Sequence, residues 1–228
     1  MKIIKPCFRW PHNVAPDGEA ILKRITEAGR VAYQSERMGG EEDFVRSLIK
    51  RGHESVLEHA IISVIVTCDR GVTHEAVRHR VASYTQESTR FCNYAGDRFG
   101  GEITYINIMG GIRRERKMSQ LSPLQIAEIV GEWTEACQDA ERHYNRMIEL
   151  GATPEIARSV LNNSTKAQIV ITMNMREWRH FFKLRNAPDA HPQMREVAGM
   201  LLEAFREIIP VMFEDIPPEG VTDGKAQN

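Results

Sequence analysis

The sequence contains few cysteines, and no two of them have the spacing of a metal site or a redox pair. The four are Cys7, Cys68, Cys92 and Cys137. Their wide separation argues against a zinc ribbon and against a thioredoxin-type site. No apolar run approaches the roughly 20 residues that a membrane-spanning helix needs. The first five residues turn polar at once, unlike a secretory signal. These absences predict a cytoplasmic protein without a membrane partner.

The glycine-rich phosphate-binding motifs are also missing. No G-x-G-x-x-G follows a predicted strand and no G-x-x-x-x-G-K-[ST] occurs, so a bound phosphate would be held by side chains and a loop. Neither sign of charge is in excess, with 30 basic and 31 acidic residues and a net charge of −1. Because proteins that bind nucleic-acid backbone are usually strongly basic, we expect no nucleic-acid partner.

The chain is long and apolar enough for a core that needs no disulfide or structural metal, since 42% of its 228 residues are hydrophobic. We predict one domain over residues 1–216 and a polar tail over 217–228. Helical and strand patterns follow one another without regular βαβ alternation. This order predicts an α+β (mixed α/β) fold with a central mixed or antiparallel sheet flanked by helices.

Hydrophobic periodicity and capping residues locate the elements. Helices are predicted over residues 18–33, 41–51, 74–82, 123–150, 154–161, 176–184 and 192–209. Strands are predicted over residues 1–10, 60–68, 103–108 and 165–174. Thr73 is the expected N-cap of the helix over 74–82, and Ser83 to Arg90 is expected to be the loop after it.

The stretch from Arg78 to Arg90 concentrates groups that bind anions. It holds three arginines, a histidine and two serines, and arginine presents a planar fork of donors that matches anionic oxygens. On a helix, Arg78 and Arg80 would lie about 200° apart and could not both face one ligand, so one would reach a second partner or a neighbouring subunit. Loop N–H groups, with Ser88 and Arg90, could wrap a phosphate.

Two further segments carry polar groups. The first holds His53, Glu54, Glu58 and His59, but its histidines are six residues apart, unlike a helical HExxH zinc site. A metal hydrolase built on these four residues is one alternative, and a nucleic-acid-binding module that uses the Arg78–Arg90 cluster is another. The second segment comprises Arg158, Asn174, Arg176, His180, Arg185 and His191.

The spelling of these segments resembles one family. Residues 78–90 fit R-H-R-x-x-S-x-x-x-x-S-x-R without a gap, which is similar to the signature of flavin-dependent thymidylate synthases. Residues 52–59 resemble that family's G-H-x-S-x-x-E-H segment. A third segment resembles the family through Asn174, Arg176, His180, Leu184 and Arg185. The resemblance covers roughly residues 50–195, which is most of the chain.

The resemblance implies an enzyme that converts dUMP to dTMP with FAD, NADPH and methylenetetrahydrofolate. It implies a homotetramer whose active sites lie between subunits. For dUMP it implies Glu75, Arg78, Gln86, Ser88, Thr89, Arg90, Arg158 and Arg185, with Arg158 contributed by another subunit. For FAD it implies Ser55, Glu58, Arg78, His79, Arg80, Asn174, Arg176, His180 and His191. His53 is expected near the folate or nicotinamide entrance.

Arg185 is the implied catalytic residue, at the edge of the uracil. A guanidinium there would stabilise negative charge at N3 and O4 and so activate C5 for methylation. The family needs no attack by an enzyme cysteine. The chain departs from its relatives at Glu75, where some have Gln, and at Asn162, where Pro is expected. The segment from Arg185 to His191 is also slightly longer.

Overall fold

A computed structural model describes residues 1–33, 39–96, 98 and 100–221. The strands are β1 (Lys2–Ile4), β2 (Cys7–Arg9), β3 (Ile61–Asp69), β4 (Ala82–Gln86), β5 (Thr104–Ile106) and β6 (Lys166–Asn174). The helices are α1 (Gly18–Tyr33), α2 (Glu41–Lys50), α3 (Arg70–Ala76), α4 (Met109–Arg114), α5 (Pro123–Glu149), α6 (Pro154–Ala157), α7 (Met175–Arg185), α8 (Pro192–Ile208) and α9 (Pro210–Phe213). Short 3-10 turns include Glu54–His59 and Arg158–Val160.

The central sheet is antiparallel and has four strands in the order β2-β3-β6-β4. Its longest pairing runs the full length of β3 and β6, from Ile61 opposite Asn174 to Asp69 opposite Lys166. β4 pairs with the other edge of β6, with Ala82 opposite Met173. A separate parallel pair joins β1 to β5. The predicted α+β fold with an antiparallel central sheet is confirmed.

One face of the sheet carries the core, because alternate residues of β3 and β6 are apolar and buried. Helices α7 and α8 cover this face. Trp178 contacts Phe182 and Phe205 there, and its indole N–H donates to the Ile62 carbonyl at 3.1 Å. The opposite face of the sheet is partly exposed to solvent, and Ile61 on it is 59% exposed. The contacts of Trp178 fix α7 on the core face, directly after the end of β6.

The predicted helix over 74–82 is wrong. α3 lies earlier, at Arg70–Ala76, because the side chain of Asp69 accepts a hydrogen bond from Val72 N at 2.8 Å and caps it. Thr73 is not the cap but an interior residue, and its hydroxyl donates to the Arg70 carbonyl. Strand β4, Ala82–Gln86, takes the last residue of the predicted helix and the first half of the expected loop over Ser83 to Arg90, since its backbone pairs with β6.

Other predictions differ in extent. The predicted strand over 1–10 is two strands in two sheets, β1 and β2, with Pro6 between them. The predicted helix over 154–161 stops at Ala157 and continues as a 3-10 turn. Helices α4 and α9 were not predicted. Residues 222–228 of the predicted tail lie outside the described residues, so the domain boundary stays a prediction. Within the described residues, no helix has the length and apolarity needed to cross a bilayer.

Candidate functional site

Most residues singled out in the sequence fall into three clusters, one of which also contains two residues that the sequence did not indicate, Tyr84 and Glu177. The strand-start cluster lies where the chain enters β4 and comprises Glu75, His79, Tyr84, Glu177, His180, Arg185 and His191. The strand-end cluster lies where the chain leaves β4 and comprises Ser88, Thr89, Arg90 and Arg158. The helix-start cluster lies at the first turn of α7 and comprises Ser55, Glu58, Asn174 and Arg176.

His79 is the centre of the strand-start cluster. Its side chain is only 3% exposed, and Nδ1 lies 2.8 Å from Oε1 of Glu177, which is 11% exposed. On the other side of the ring, Nε–H of Arg185 donates to Nε2 of His79 at 3.1 Å. The His180 ring lies at 5.6 Å, centroid to centroid. The imidazole thus connects a buried carboxylate to the guanidinium of the predicted catalytic residue.

The other donors of Arg185 face Glu75. Nη1 lies 3.2 Å from Oε2 of Glu75, and Nη2 donates to the Glu75 carbonyl at 3.3 Å. Nδ1 of His191 lies 2.9 Å from the second carboxylate oxygen, Oε1. The carboxylate of Glu75 thus pairs with both the guanidinium of Arg185 and the ring of His191.

The contacts of His79 fix its protonation. An arginine can only donate, so Nε2 must carry a lone pair and the ring proton must sit on Nδ1, facing Glu177. Burial lowers the pKa of His79, as do the nearby charges of Arg185 and His180, whereas Glu177 raises it; the net pKa lies below 6.5. A neutral imidazole with its proton on Nδ1 follows from both the geometry and the pKa.

The turn that carries His79 is held by Tyr84 of β4. The phenolic hydroxyl donates to the Ala76 carbonyl at 2.6 Å and to the His79 carbonyl at 2.9 Å. Burial raises the pKa of this phenol above its ordinary value, so the hydroxyl keeps its proton and remains a donor. The side chains of Arg78 and Arg80, on either side of His79, are exposed and form no hydrogen bond or ion pair with any described residue.

Asn174 begins α7 and organises the helix-start cluster. Its side-chain oxygen accepts from Glu177 N at 2.9 Å as the N-cap, and Arg176 then projects outward to Oε1 of Glu58 at 2.6 Å. Ser55 and His53 are exposed nearby, in or just before the 3-10 turn. The predicted strand-to-helix junction at Asn174 and Arg176 is confirmed.

The strand-end cluster is held by hydrogen bonds within one chain. Arg158 Nη1 donates to the hydroxyl of Thr89 at 3.1 Å. Arg90 Nε lies 2.6 Å from Oε1 of Glu155. Ser88 Oγ accepts from the backbone N–H of Arg90 at 3.3 Å. Gln86, at the end of β4, instead donates inward to Thr73 at 3.0 Å.

The two β4 clusters are well separated. An extended strand rises about 3.3 Å per residue, so the ends of the five-residue β4 are roughly 13 Å apart. Contacts within one chain hold His79, Arg185 and Glu75 together at the start of β4 and Thr89 and Arg158 together beyond its end.

The sets do not form a convincing metal site. Among the described residues, the one group of three potential ligands close enough for a single ion is His79, Glu177 and His180. Both nitrogens of His79 already face other groups, and the adjacent guanidinium repels a cation. The carboxylate of Glu58 pairs with Arg176, and that of Glu54 lies within 4 Å of Arg176, Arg179 and Lys183. The metal-hydrolase alternative gains no support.

Three of the four cysteines are poorly suited to nucleophilic chemistry. Burial raises the pKa of the thiols of Cys68, Cys92 and Cys137, which favours the unreactive protonated form, whereas Cys7 is exposed.

Two residues of the strand-start cluster were missed in the sequence. Glu177 lies four residues before Phe181 on the buried side of α7, and an acid on an apolar helix face was the available signal. Tyr84 was missed because its segment was assigned to a loop. As a strand residue paired with Ile171, it points toward the core side and can reach the preceding turn.

Comparisons with known proteins agree with this geometry. A family model described as thymidylate synthase complementing protein matches residues 18–211. The flavin-dependent thymidylate synthase of Geobacter sulfurreducens is 32% identical, over 92% of this chain and 91% of its own length. The corresponding protein of Pyrococcus abyssi is 35% identical, over 84% of this chain and 78% of its own. That of Corynebacterium diphtheriae is 28% identical, over 93% and 84% respectively.

The lowered pKa of His79 predicts a pH-dependent stability. Below about pH 6.5 the unfolded chain binds a proton that folded His79 resists, so the free energy of unfolding should fall as the pH is lowered from about 7 to about 5. His79→Gln should lose less stability over this interval, whereas His143→Gln, at an exposed position of α5, should follow the wild type. Urea unfolding at several pH values measures this, and identical slopes for wild type and His79→Gln would contradict it.

Proposed function

Because the chain belongs to the flavin-dependent thymidylate synthase family, we propose that it converts dUMP to dTMP, with methylenetetrahydrofolate as carbon donor and NADPH as the reductant of a bound FAD. The observation that carries this proposal is the position of Arg185, a family residue whose guanidinium is held by both His79 and Glu75. The nucleic-acid-binding alternative gains nothing from these relatives and conflicts with a net charge of −1.

The exposed arginines fit the cofactor. Arg78 and Arg80 have no partner among the described residues, and a diphosphate such as that of FAD is the kind of anion that guanidinium groups bind strongly. When bound and reduced, the flavin supplies a hydride, and the protein provides its orientation. Residues proposed to line this site are Ser55, Glu58, Arg78, His79, Arg80, Asn174, Arg176, His180 and His191. His53, which is exposed, is proposed at the folate or nicotinamide entrance.

The strand-end cluster is proposed to hold the phosphate of dUMP. Ser88 and Arg90 would bind the phosphate, with Thr89 and Arg158 beside them and Gln86 nearby. Arg90 is half exposed, and among the described residues Glu155 is the acid that pairs with it, so a phosphate can replace that carboxylate by an exchange of anions. Glu75, Arg78 and Arg185 are proposed to contact the nucleotide from the strand-start cluster.

The separation of the two clusters supports an active site shared between subunits. Groups assigned to one nucleotide lie beyond opposite ends of β4, a strand that is itself roughly 13 Å long. The strand-end cluster of one subunit could complete the strand-start cluster of another. The open face of the central sheet offers a surface for such an assembly. We therefore propose a homotetramer, and light scattering should give about four times the chain mass of 26.0 kDa.

Arg185 is proposed to activate the uracil. Its guanidinium would donate to the ring edge and stabilise the negative charge that develops at N3 and O4 when C5 becomes nucleophilic. The contacts with His79 and Glu75 hold the side chain before the substrate arrives. A donor positioned in advance loses little free energy in reorganisation during the reaction.

The direct test is dTMP formation from dUMP, measured with FAD, NADPH and methylenetetrahydrofolate together and then with each omitted in turn. Purified protein should be yellow or should take up FAD stoichiometrically. Product should appear with the complete set and be lost when any one co-reactant is absent. Full turnover without flavin, or none with the complete set, would refute the proposed activity.

Arg185→Ala should lower kcat for dTMP formation by about 100-fold or more, because it removes a charged donor at the ring where negative charge develops. Much of the flavin should remain bound, since most of the proposed flavin residues are unchanged. Flavin absorbance and turnover measure the two effects separately. Arg142→Ala, an exposed arginine on α5, is the matched control. Unchanged turnover in Arg185→Ala would remove this residue from its role.

Arg90→Ala should mainly weaken dUMP binding, by about 1.5–3 kcal/mol for a lost charged hydrogen bond. Arg90→Lys keeps the charge but loses the planar fork, so its loss should be smaller. Isothermal titration with dUMP gives both affinities. If dUMP binds Arg90→Ala as tightly as wild type, the phosphate is not at the strand-end cluster.

A further inference from the structure

Glu177 is a buried acid that the proposed chemistry leaves without a role. Its backbone N–H donates to the cap residue Asn174, and Oε1 of its carboxylate faces Nδ1 of His79 at 2.8 Å. An acid of 11% exposure beside Trp178 and Phe181 is desolvated, which is unfavourable unless a partner is present. The imidazole is that partner, so the carboxylate of Glu177 is coupled to the protonation and tautomer of His79.

His79 bridges two positions of the same helix. Glu177 lies in the first turn of α7 and Arg185 is its last residue, so they are about 12 Å apart along the helix axis. The side chains of both residues reach the His79 ring. Nε–H of Arg185 donates to one ring nitrogen, and the carboxylate of Glu177 faces the other. Only the tautomer with its proton on Nδ1 satisfies both contacts, since the alternative would set two donors against each other.

We propose that Glu177 is a positioning residue for Arg185, acting by holding His79 in the Nδ1–H tautomer. The proposal rests on the proposed role of Arg185 in the reaction. Glu177 does not reach the substrate in this account. Its carboxylate accepts a hydrogen bond from Nδ1–H, so the proton stays on Nδ1. The lone pair of Nε2 is then free to accept from the guanidinium and hold it in place. Without an acceptor at residue 177, the proton can move to Nε2 and the hold on Arg185 is lost.

Two variants separate the hydrogen bond from simple packing. Glu177→Gln keeps an acceptor oxygen and removes the charge, whereas Glu177→Met keeps the side-chain length and removes the acceptor. Glu177→Met should lower kcat by about 100-fold, the scale of a misplaced catalytic group, with KM for dUMP changed less than about threefold. Glu177→Gln should recover most of this loss. Glu141→Gln, at a 14%-exposed acid that accepts from Ile103 N, is the control.

The tautomer itself can be measured without turnover. Ring nitrogen chemical shifts of protein labelled with ¹⁵N-histidine, with His79 identified by its loss in His79→Gln, should show a bare Nε2 in wild type and in Glu177→Gln. Glu177→Met should shift the proton to Nε2 in a measurable fraction. A wild-type proton on Nε2 would overturn the proposal even if the protein makes dTMP. The expected shifts would support it even if the proposed activity failed.

The pH dependence of kcat gives a second test, because a purely structural role of Glu177 would not change its acid limb. The charged and titratable groups beside the His79 ring are Glu177, His180 and Arg185 from α7; Glu75 of α3 pairs with Arg185, and the Tyr84 hydroxyl of β4 bonds the His79 carbonyl. Protonated His79 cannot accept from Arg185, so kcat should fall on the acid side. Removing the charge of Glu177 should move this acid limb to lower pH in Glu177→Gln, because a neighbouring carboxylate favours the imidazolium. An unmoved limb would count against the proposal.

A double variant closes the test. If Glu177 acts only through Arg185, adding Glu177→Met to Arg185→Ala should lower kcat no further than Arg185→Ala alone. Multiplicative losses would overturn the proposed route. If Glu177→Met does not fold, the pH limb and the ring shifts of Glu177→Gln decide the question, since that variant keeps the hydrogen bond.

Discussion

The arrangement of this protein depends on β6, the strand that pairs on both of its edges. Its pairing with β3 places the start of β3 and the preceding 3-10 turn beside Asn174. Its pairing with β4 places the His79 turn at the same end. α7 begins there too and is fixed over the core by Trp178. Three segments that are far apart in the sequence meet because one strand sets the register of all of them.

Ligand binding at the proposed nucleotide site would be an exchange of anions. Arg185 pairs with Glu75 and Arg90 pairs with Glu155, so two internal carboxylates hold guanidiniums that are proposed to bind the nucleotide. A ligand gains only the difference between its own contacts and those it replaces. Glu75 makes this difference smaller than a neutral side chain would, because it carries a full charge and also lies against His191. It would therefore act on affinity through the ligand-free state.

Much of the fold follows from hydrophobic period, and the failures have local causes. α1, α5, α7 and α8 have long amphipathic patterns, and β3 and β6 have β-branched, alternating ones, so these were predictable. The region from Thr73 to Gln86 was not, because its short helix is set by a cap on Asp69 and its strand exists only through pairing with β6. Motif spelling named the site residues, but Glu177 acquires its burial only when α7 docks on the sheet.

The contrast between Glu177 and Glu75 explains why an imidazole stands between a carboxylate and the guanidinium proposed to be catalytic. A carboxylate in direct contact, as that of Glu75 is with Nη1, offsets the positive charge that the uracil would need. A neutral ring fixes Nε by one hydrogen bond and adds no charge of its own. The carboxylate of Glu177 is separated from the guanidinium by the imidazole ring. It orients that ring, while its electric field at the guanidinium is weaker than that of Glu75. When a ligand displaces Glu75, Arg185 stays held at Nε with its charge available.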